Sequence, residues 1–276
     1  MLEILDHGDV RELRFSNWRS RRAGYAVSAF VTRGTLVDAA YPRAAHELAA
    51  YVRAHPVGGA VLTHAHEDHS GGVPALAALG IPVHCADSTD AAMRAPERVG
   101  MYRRLIWGTR RRLTIAVPRF THADLTLVPT PGHSADHHVV WDAERETVFG
   151  GDLFIGVKMR LAHYDEDVRG QVPMLRRVAA LRPRRFFDAH RGALRDPVAQ
   201  LTAKAEWMTE TIGRIEDLVG RGWSDDAIRR AVLGPEDLTG VSSFGNYSRR
   251  NFVRSVRATM AAAGPAVGAT SGGASA

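Results

Sequence analysis

"VLTHAHEDHSGG", residues 61–72, places three histidines and an aspartate within six positions, His64-x-His66-x-Asp68-His69, directly after an apolar run. A water-facing loop gains nothing from so many nitrogen and oxygen donors, and an apolar core cannot solvate them. The stretch reads as a set of metal ligands leaving the end of a strand. That reading requires further ligands downstream.

Further donors stand at the ends of other short apolar runs. "LTLVPTPGHS" delivers His133 after a Pro-Gly turn, "ETVFGGDLF" delivers Asp152 after two glycines, and "RRFFDAHRG" delivers His190. Four strand ends that release donors into loops on one edge would hold a polar site over a dry scaffold.

Outward from these motifs, "AVSAFVTRGTLVDAAYP" (26–42) reads as a hairpin turning at Arg33-Gly34. "RAAHELAAYVRAH" (43–55) carries helical spacing and stops before Pro56, and "GGVPALAALG" fits a helix ended by Gly80. "GAVLTH" and "IPVHCAD" read as strands, as do "LTLVPT", "HVVWD", "ETVFGG" and "RRFFDAH" further on, with a helix over 166–183. The count predicts an α/β fold: two β-sheets packed face to face with helices on the outer faces.

After residue 196 the texture is helical only. "VAQLTAKAEWMTETIGRIEDLVGRG" is a long amphipathic stretch, and "SDDAIRRAVLG" starts with Ser224 as N-cap. "SRRNFVRSVRATMAAA" is a basic final helix whose charges read as a solvated face. The expected organisation is one α/β domain over 1–196, a helical segment over 197–263, and a small-residue tail over 264–276 that should be disordered.

Composition sets outer bounds. The chain has 276 residues, 45% of them apolar, enough for a real core. The net charge of +6 is almost all arginine, with Lys158 and Lys204 the only lysines. Such a skew points to composition rather than to a phosphate-binding surface, so no nucleic-acid partner is expected. The basic field still favours an anionic small-molecule substrate. Cys85 is the only cysteine, so no internal disulfide forms, and it reads as inert packing. No run is long enough to span a membrane, and the N-terminus has acids where a signal peptide is apolar. A cytoplasmic enzyme is the expectation.

Taken together, the His64–His69 motif, the "TPGH" ending at His133, the "GGD" ending at Asp152 and the strand-end His190 resemble the metallo-β-lactamase superfamily. The resemblance covers residues 25 to 195. It implies an αββα sandwich of two mixed sheets, with His64, His66 and His133 holding one metal and Asp68, His69 and His190 a second. Asp152 would bridge both. Asp38 in "TLVD" matches the family's buried aspartate that braces the histidine loop, although Ala39-Ala40 stands where the family commonly has Thr-Gly. His137 would support the ligands from behind. Imidazole and carboxylate donors suit two zinc ions per chain, and also admit iron or manganese.

The implied chemistry is hydrolysis of an ester, lactone or thioester by a hydroxide shared between two ions, with Asp68 as the catalytic carboxylate. No Gly-x-Ser-x-Gly elbow offers a protein nucleophile. Asp152 argues against a true β-lactamase, and His66 against the flavin-linked diiron branch, where glutamate usually stands. The core resembles quorum-signal lactonases and glyoxalase II. Two alternatives remain on this fold: a phosphodiesterase or nuclease, and a non-hydrolytic iron-dependent thiol oxygenase. For substrate contact the sequence offers "MRAPERVGMYRRLIWGTRRR" (93–112), either a lid bearing Tyr102 and Trp107 or a segment whose aromatics pack on the core, and "GVKMRLAHYDED" (156–167) bearing Lys158, Arg160, His163 and Tyr164.

Overall fold

Alternation along the 26–42 hairpin decides which side chain meets which layer. The computed structural model describes residues 1–263, and in it Val27–Thr32 pairs antiparallel with Thr35–Val37, Phe30 opposite Val37 and Val31 opposite Leu36. Arg33 and Gly34 between them both take positive φ, 50° and 69°, the geometry a two-residue hairpin turn needs to match strand twist. Phe30 and Val37 face inward, while Ala29 and Leu36 face the helices behind.

The first sheet runs β1 (Leu2–Asp6), β2 (Val10–Phe15), β3 (Val27–Thr32), β4 (Thr35–Val37), β5 (Gly59–Val61) and β6 (Val83–His84), in that spatial order. It is antiparallel up to β4 and parallel from there to β6. The second sheet contains β7 (Leu125–Pro129), β8 (His138–Asp142), β9 (Thr147–Phe149), β11 (Arg185–Asp188) and β12 (Gly192–Ala193), with β9 and β11 parallel and the other neighbours antiparallel. A third pairing joins β10 (Ala162–His163) to β13 (Tyr247–Ser248).

Three apolar clusters define the layers. Between the sheets lie Val10, Phe30, Val37 and Val61 of the first and Leu125, Val140, Phe149 and Phe187 of the second. Phe30, Phe149 and Phe187 meet there with ring centroids 5.4–5.5 Å apart, contacts worth about 0.5–1.5 kcal/mol per pair beyond their buried area. Outside the first sheet, Leu48 and Val52 of the helix Ala45–Ala54 and Leu76 of Val73–Ala78 pack on Leu36 and Ala60. Outside the second, Leu175 and Val178 of Val168–Ala180 pack on Val148 and Phe186. The result is an αββα sandwich.

The residues after 196 complete that last layer. The helix Pro197–Gly220 contributes Leu201, Ala205, Met208, Ile212 and Ile215 to the same cluster, and the final helix Arg249–Ala263 adds Phe252, Val253 and Val256. Segment and sheet therefore share one core. Ser224 caps the short helix Asp225–Ile228 through the Ala227 amide, as its position suggested. The basic final helix is partly neutralised: Arg254 and Arg257 both pair with Asp225, and Arg249 with Asp237. The expectation for the 264–276 tail lies outside the described residues. Among those described, no helix is long and apolar enough to cross a membrane.

Sequence patterning assigned nothing to residues 2–15, where the structure has β1 and β2. Much of β1 is exposed at the sheet edge, and β2 buries Glu12 against the hydroxyl of Ser28 at 2.6 Å, a charge where alternation calls for an apolar side chain. "IPVHCAD" yields only the two-residue β6.

Candidate metal centre

The strands that end in polar loops run the same way. β4, β5, β9 and β11 are paired in parallel, and β7 points along β9 because each is antiparallel to β8. Their C-terminal ends share one edge of the sandwich, and Asp38, His64, His133, Asp152 and His190 follow them there. The turn-length helix Glu67–Ser70 adds Asp68 and His69, with His66 as its N-cap.

The seven donors form two groups, His64, His66, His133 and Asp152 on one side, and Asp68, His69, Asp152 and His190 on the other, with the ligand atoms of each group within 4.8 Å of one another. Asp152 belongs to both. Its Oδ2 lies 3.2 Å from His133 Nε2, while Oδ1 lies 3.2 Å from His69 Nε2 and 3.1 Å from His190 Nε2. Asp68 Oδ2 approaches His190 Nε2 at 3.6 Å. Burial alone would raise the Asp152 pKa, but His190, His69 and His133 around it hold the carboxyl well below its ordinary range. His64 and His66 are pushed well below the ordinary imidazole pKa, chiefly by burial, and so stay neutral and able to ligate.

A fit to cations can be tested on the donors themselves. His64 Nε2, His69 Nε2 and Asp152 Oδ1 are buried and find no hydrogen-bond partner among the described residues. Buried polar atoms without partners are rare and cost about 1–3 kcal/mol each. Their convergence, with imidazole and carboxylate donors only, fits two divalent ions of the zinc, iron or manganese type.

Behind the donors, most rings are held by their far nitrogen. Asp38 accepts from His69 Nδ1 at 2.8 Å, Glu166 from His133 Nδ1 at 2.9 Å, and the Ala26 carbonyl from His190 Nδ1 at 2.7 Å. His64 Nδ1 meets the Thr63 hydroxyl at 3.0 Å. Each bond turns Nε2 toward the centre and fixes its tautomer. Asp188 receives the amides of Ile155, His190 and Arg191, which ties the two ligand loops of the second sheet together. His137 accepts the Asp152 amide at 3.1 Å through Nε2 and bonds the Thr130 hydroxyl through Nδ1, so it lies behind the ligands. Gly151 makes this possible: φ is +50°, and a Cβ there would sit 2.8 Å from His137 Nε2. Asp38 (φ 61°) and Ala40 (φ 53°) also take left-handed backbone. Ala40 thus follows the path a glycine takes without strain, and the loop keeps its course despite the Ala39-Ala40 departure.

Above the donors a cavity opens whose wall includes Tyr102 and Trp107. Trp107 is only 7% exposed and packs against Tyr41 at 5.0 Å, so it serves core and cavity alike. Lys158 and Tyr164 are not brought here. In 158–161 the side chains alternate, sending Met159 and Leu161 to the cavity and leaving Lys158 and Arg160 outward. Tyr164 is 54% exposed and lines a neighbouring cavity with His163. In their place stand four residues the sequence reading passed over: Arg103, Glu166, Lys204 and Tyr247. Lys204 had a visible signal, since it occupies the apolar stripe of its helix between Leu201 and Met208. There it donates to the carbonyls of Leu153 (2.9 Å) and Phe154 (2.7 Å), and burial lowers its pKa to about 8.

An αββα sandwich with a doubled His/Asp group on one strand edge defines a class of metal-binding folds. Within it, the chain belongs to the metallo-beta-lactamase superfamily, whose match spans residues 30–190. It is 26% identical over 151 residues to a beta-lactamase-like protein 2 homolog of Caenorhabditis elegans, covering 51% of this chain and 44% of the relative. To the Drosophila melanogaster homolog it is 28% identical over 146 residues, covering 51% and 47%. The aligned part thus spans less than half the length of these curated relatives. A metallo-beta-lactamase family protein from Thermus thermophilus superposes with TM-score 0.63 at 17% identity, covering 93% of this chain and 94% of that one. A metallo-beta-lactamase from Pontibacter korlensis gives TM-score 0.57 at 18% identity, covering 76% and 99%. At such identities the likeness is one of fold.

Proposed function

We propose that the chain is a dinuclear metal-dependent hydrolase of small esters, lactones or thioesters, with zinc in both positions. The observation that carries this reading is Asp152, one oxygen turned to each donor group, among buried nitrogens that have no protein partner. Divalent ions at such a site supply a water of lowered pKa and polarise a carbonyl oxygen. The chain's own residues do the rest. His64, His66 and His133 hold one position, and Asp68, His69 and His190 the other. Asp68, with Oδ2 turned toward His190, offers Oδ1 to orient the attacking water or carry its proton to the leaving group. Trp107, Ile106 and Tyr102 supply an apolar wall of the cavity. A small-molecule substrate suits such a cavity better than a polymer does, and Arg254 and Arg257 of the final helix are both paired with Asp225. A cytoplasmic setting is part of the proposal, supported by the unpaired Cys85.

The test is metal analysis of the purified chain, followed by a panel of lactones, thioesters, aryl esters, phosphodiesters and β-lactams. Two ions per chain with turnover of the carbonyl substrates is the expected result. Turnover confined to phosphodiesters would overturn the substrate assignment, and a single iron with thiol oxidation would overturn the reaction.

A further inference from the structure

We propose that Arg103 and Tyr247 form a subsite that binds an anionic oxygen group of the substrate, a carboxylate or a phosphate, beside the metal ligands. This rests on the hydrolase reading above and narrows its substrate class.

Tyr247 reaches the cavity because β13 pairs with β10, which sets it opposite His163 with the rings 5.0 Å apart. Its position is held firmly: its amide bonds the Ser243 hydroxyl at 3.1 Å, and that hydroxyl donates back to the Tyr247 carbonyl at 2.7 Å. Among the described residues these backbone bonds and the strand pairing are its hydrogen bonds, so the phenol is uncommitted. Burial, with the acids Asp68, Glu67 and Glu166 nearby, pushes its pKa well up and keeps it a neutral donor.

Arg103 is the complementary half. Its Nε and Nη2 meet both oxygens of the fully buried Glu67 at 2.7 and 2.5 Å. That two-pronged bond uses one edge of the guanidinium and fixes its plane, so Nη1 on the free edge is a preorganised donor. The same guanidinium lines the cavity that holds Tyr247, His66 and Asp68. Arg103 and Tyr247 thus line one cavity, where the guanidinium charge acts on the phenol.

The acidic acceptors here other than the metal-ligand carboxylates Asp68 and Asp152 are already engaged. Glu67 is taken by Arg103, and Glu166 by His133 and Gln171. Two donors on one cavity, Arg103 Nη1 and the Tyr247 phenol, without acceptors among the described residues, call for oxygen atoms brought by the ligand. The scissile carbonyl belongs at the metal ligands. The group that fits here is therefore a second one, and a guanidinium beside a phenol selects an oxyanion over a neutral acceptor. Lys204 on the same cavity adds positive field.

The experiment uses the full metal-loaded chain and two para-nitrophenyl esters, the glutarate half-ester and the neutral valerate ester. The wild type is expected to favour the half-ester in kcat/KM. Tyr247→Phe, which preserves shape, should lower the half-ester-to-valerate selectivity ratio about tenfold, the scale of one charge-assisted hydrogen bond. Arg103→Lys, which keeps the charge but not the fork, should lower it as well. An unchanged ratio in both variants overturns the subsite. Calorimetry with free glutarate and with inorganic phosphate reads binding without turnover. The tighter of the two identifies the anion, and equal affinity of wild type and Tyr247→Phe for both overturns the proposal. If the wild type cleaves neither ester and no lactone or thioester, the hydrolase reading fails and the calorimetric comparison still decides the subsite.

Discussion

His69 donates through Nδ1 to Asp38 Oδ2 at 2.8 Å, and the same carboxylate accepts from the amide and the hydroxyl of Thr63 at 2.8 to 3.0 Å. One buried aspartate thus braces two of the three motif histidines, His69 directly and His64 through Thr63. Asp38→Asn keeps the shape and the tolerated left-handed backbone but removes the charge that anchors His69. The expected outcome is a ~10–100-fold loss of ion affinity in the Asp68/His69/His190 group, the range for outer partners of metal ligands. Chelator competition measures it, and unchanged affinity would show that Asp38 is structural only.

Glu67 sits between two ligands, His66 and Asp68, and its carboxylate is fully buried against Arg103. Glu67→Ala leaves that guanidinium without its counter-charge. The expected cost is about 3–5 kcal/mol of folding stability, as for other broken buried pairs. Urea unfolding reads it directly; a loss below about 1 kcal/mol would mean that water or a neighbour compensates.

Tyr102 and Trp107 both face the cavity, but they differ in burial. Tyr102 is half-buried, and Tyr102→Ala should change relative activity across acyl chain lengths with metal content intact. Trp107 is built into the first-sheet cluster, so Trp107→Ala should cost about 3–5 kcal/mol of stability as well. Parallel activity profiles and thermal melts separate the two effects. Equal stability loss in both variants would remove the lid role assigned to Tyr102.

Cys85 gives a pH-dependent readout. Burial raises its pKa to about 11. At pH 8 its thiolate is then ~100-fold rarer than that of an ordinary thiol, and disulfide-exchange reagents should react correspondingly slowly. Reactivity should climb as pH approaches 11 and reach the ordinary rate on unfolding. A native chain labelled at the unfolded rate at pH 8 would contradict this placement.

The site was legible in sequence where donors follow strands closely. His64, His66, Asp68 and His69 are local, and Pro-Gly or Gly-Gly announces His133 and Asp152. Residues whose placement depends on distant pairing were not legible. Tyr247 reaches the cavity through two-residue strands, which are too short to show any periodicity. Glu166 is identified only by the His133 ring it meets. Lys158 and Tyr164 illustrate the converse. Their side-chain chemistry suited a pocket edge, but a one-residue alternation in the loop turned apolar neighbours inward instead. In the fold, the hairpin around Arg33-Gly34 was plain, whereas β2 was hidden by the buried charge of Glu12.

Asp152 separates a two-ion mechanism from a one-ion mechanism most sharply. Its two oxygens face different donor groups, so its charge would compensate a cation in each and its length would set their spacing. Asp152→Ala removes one donor from each group. His64, His66 and His133 still offer three imidazoles and should retain an ion. Asp68, His69 and His190 also keep three donors, Asp68 with its charge, so each position is weakened and the pair should no longer fill completely. The expected variant is folded, short of its second ion, and at least ~100-fold slower in kcat, the scale of losing a principal electrostatic stabiliser. Asp152→Asn should fall between, because an amide oxygen can ligate without the charge. Metal analysis alongside kinetics distinguishes the outcomes. Full ion content with near-normal turnover in Asp152→Ala would mean that a single ion suffices, and the bridging carboxylate would then be a structural tie between the two ligand loops.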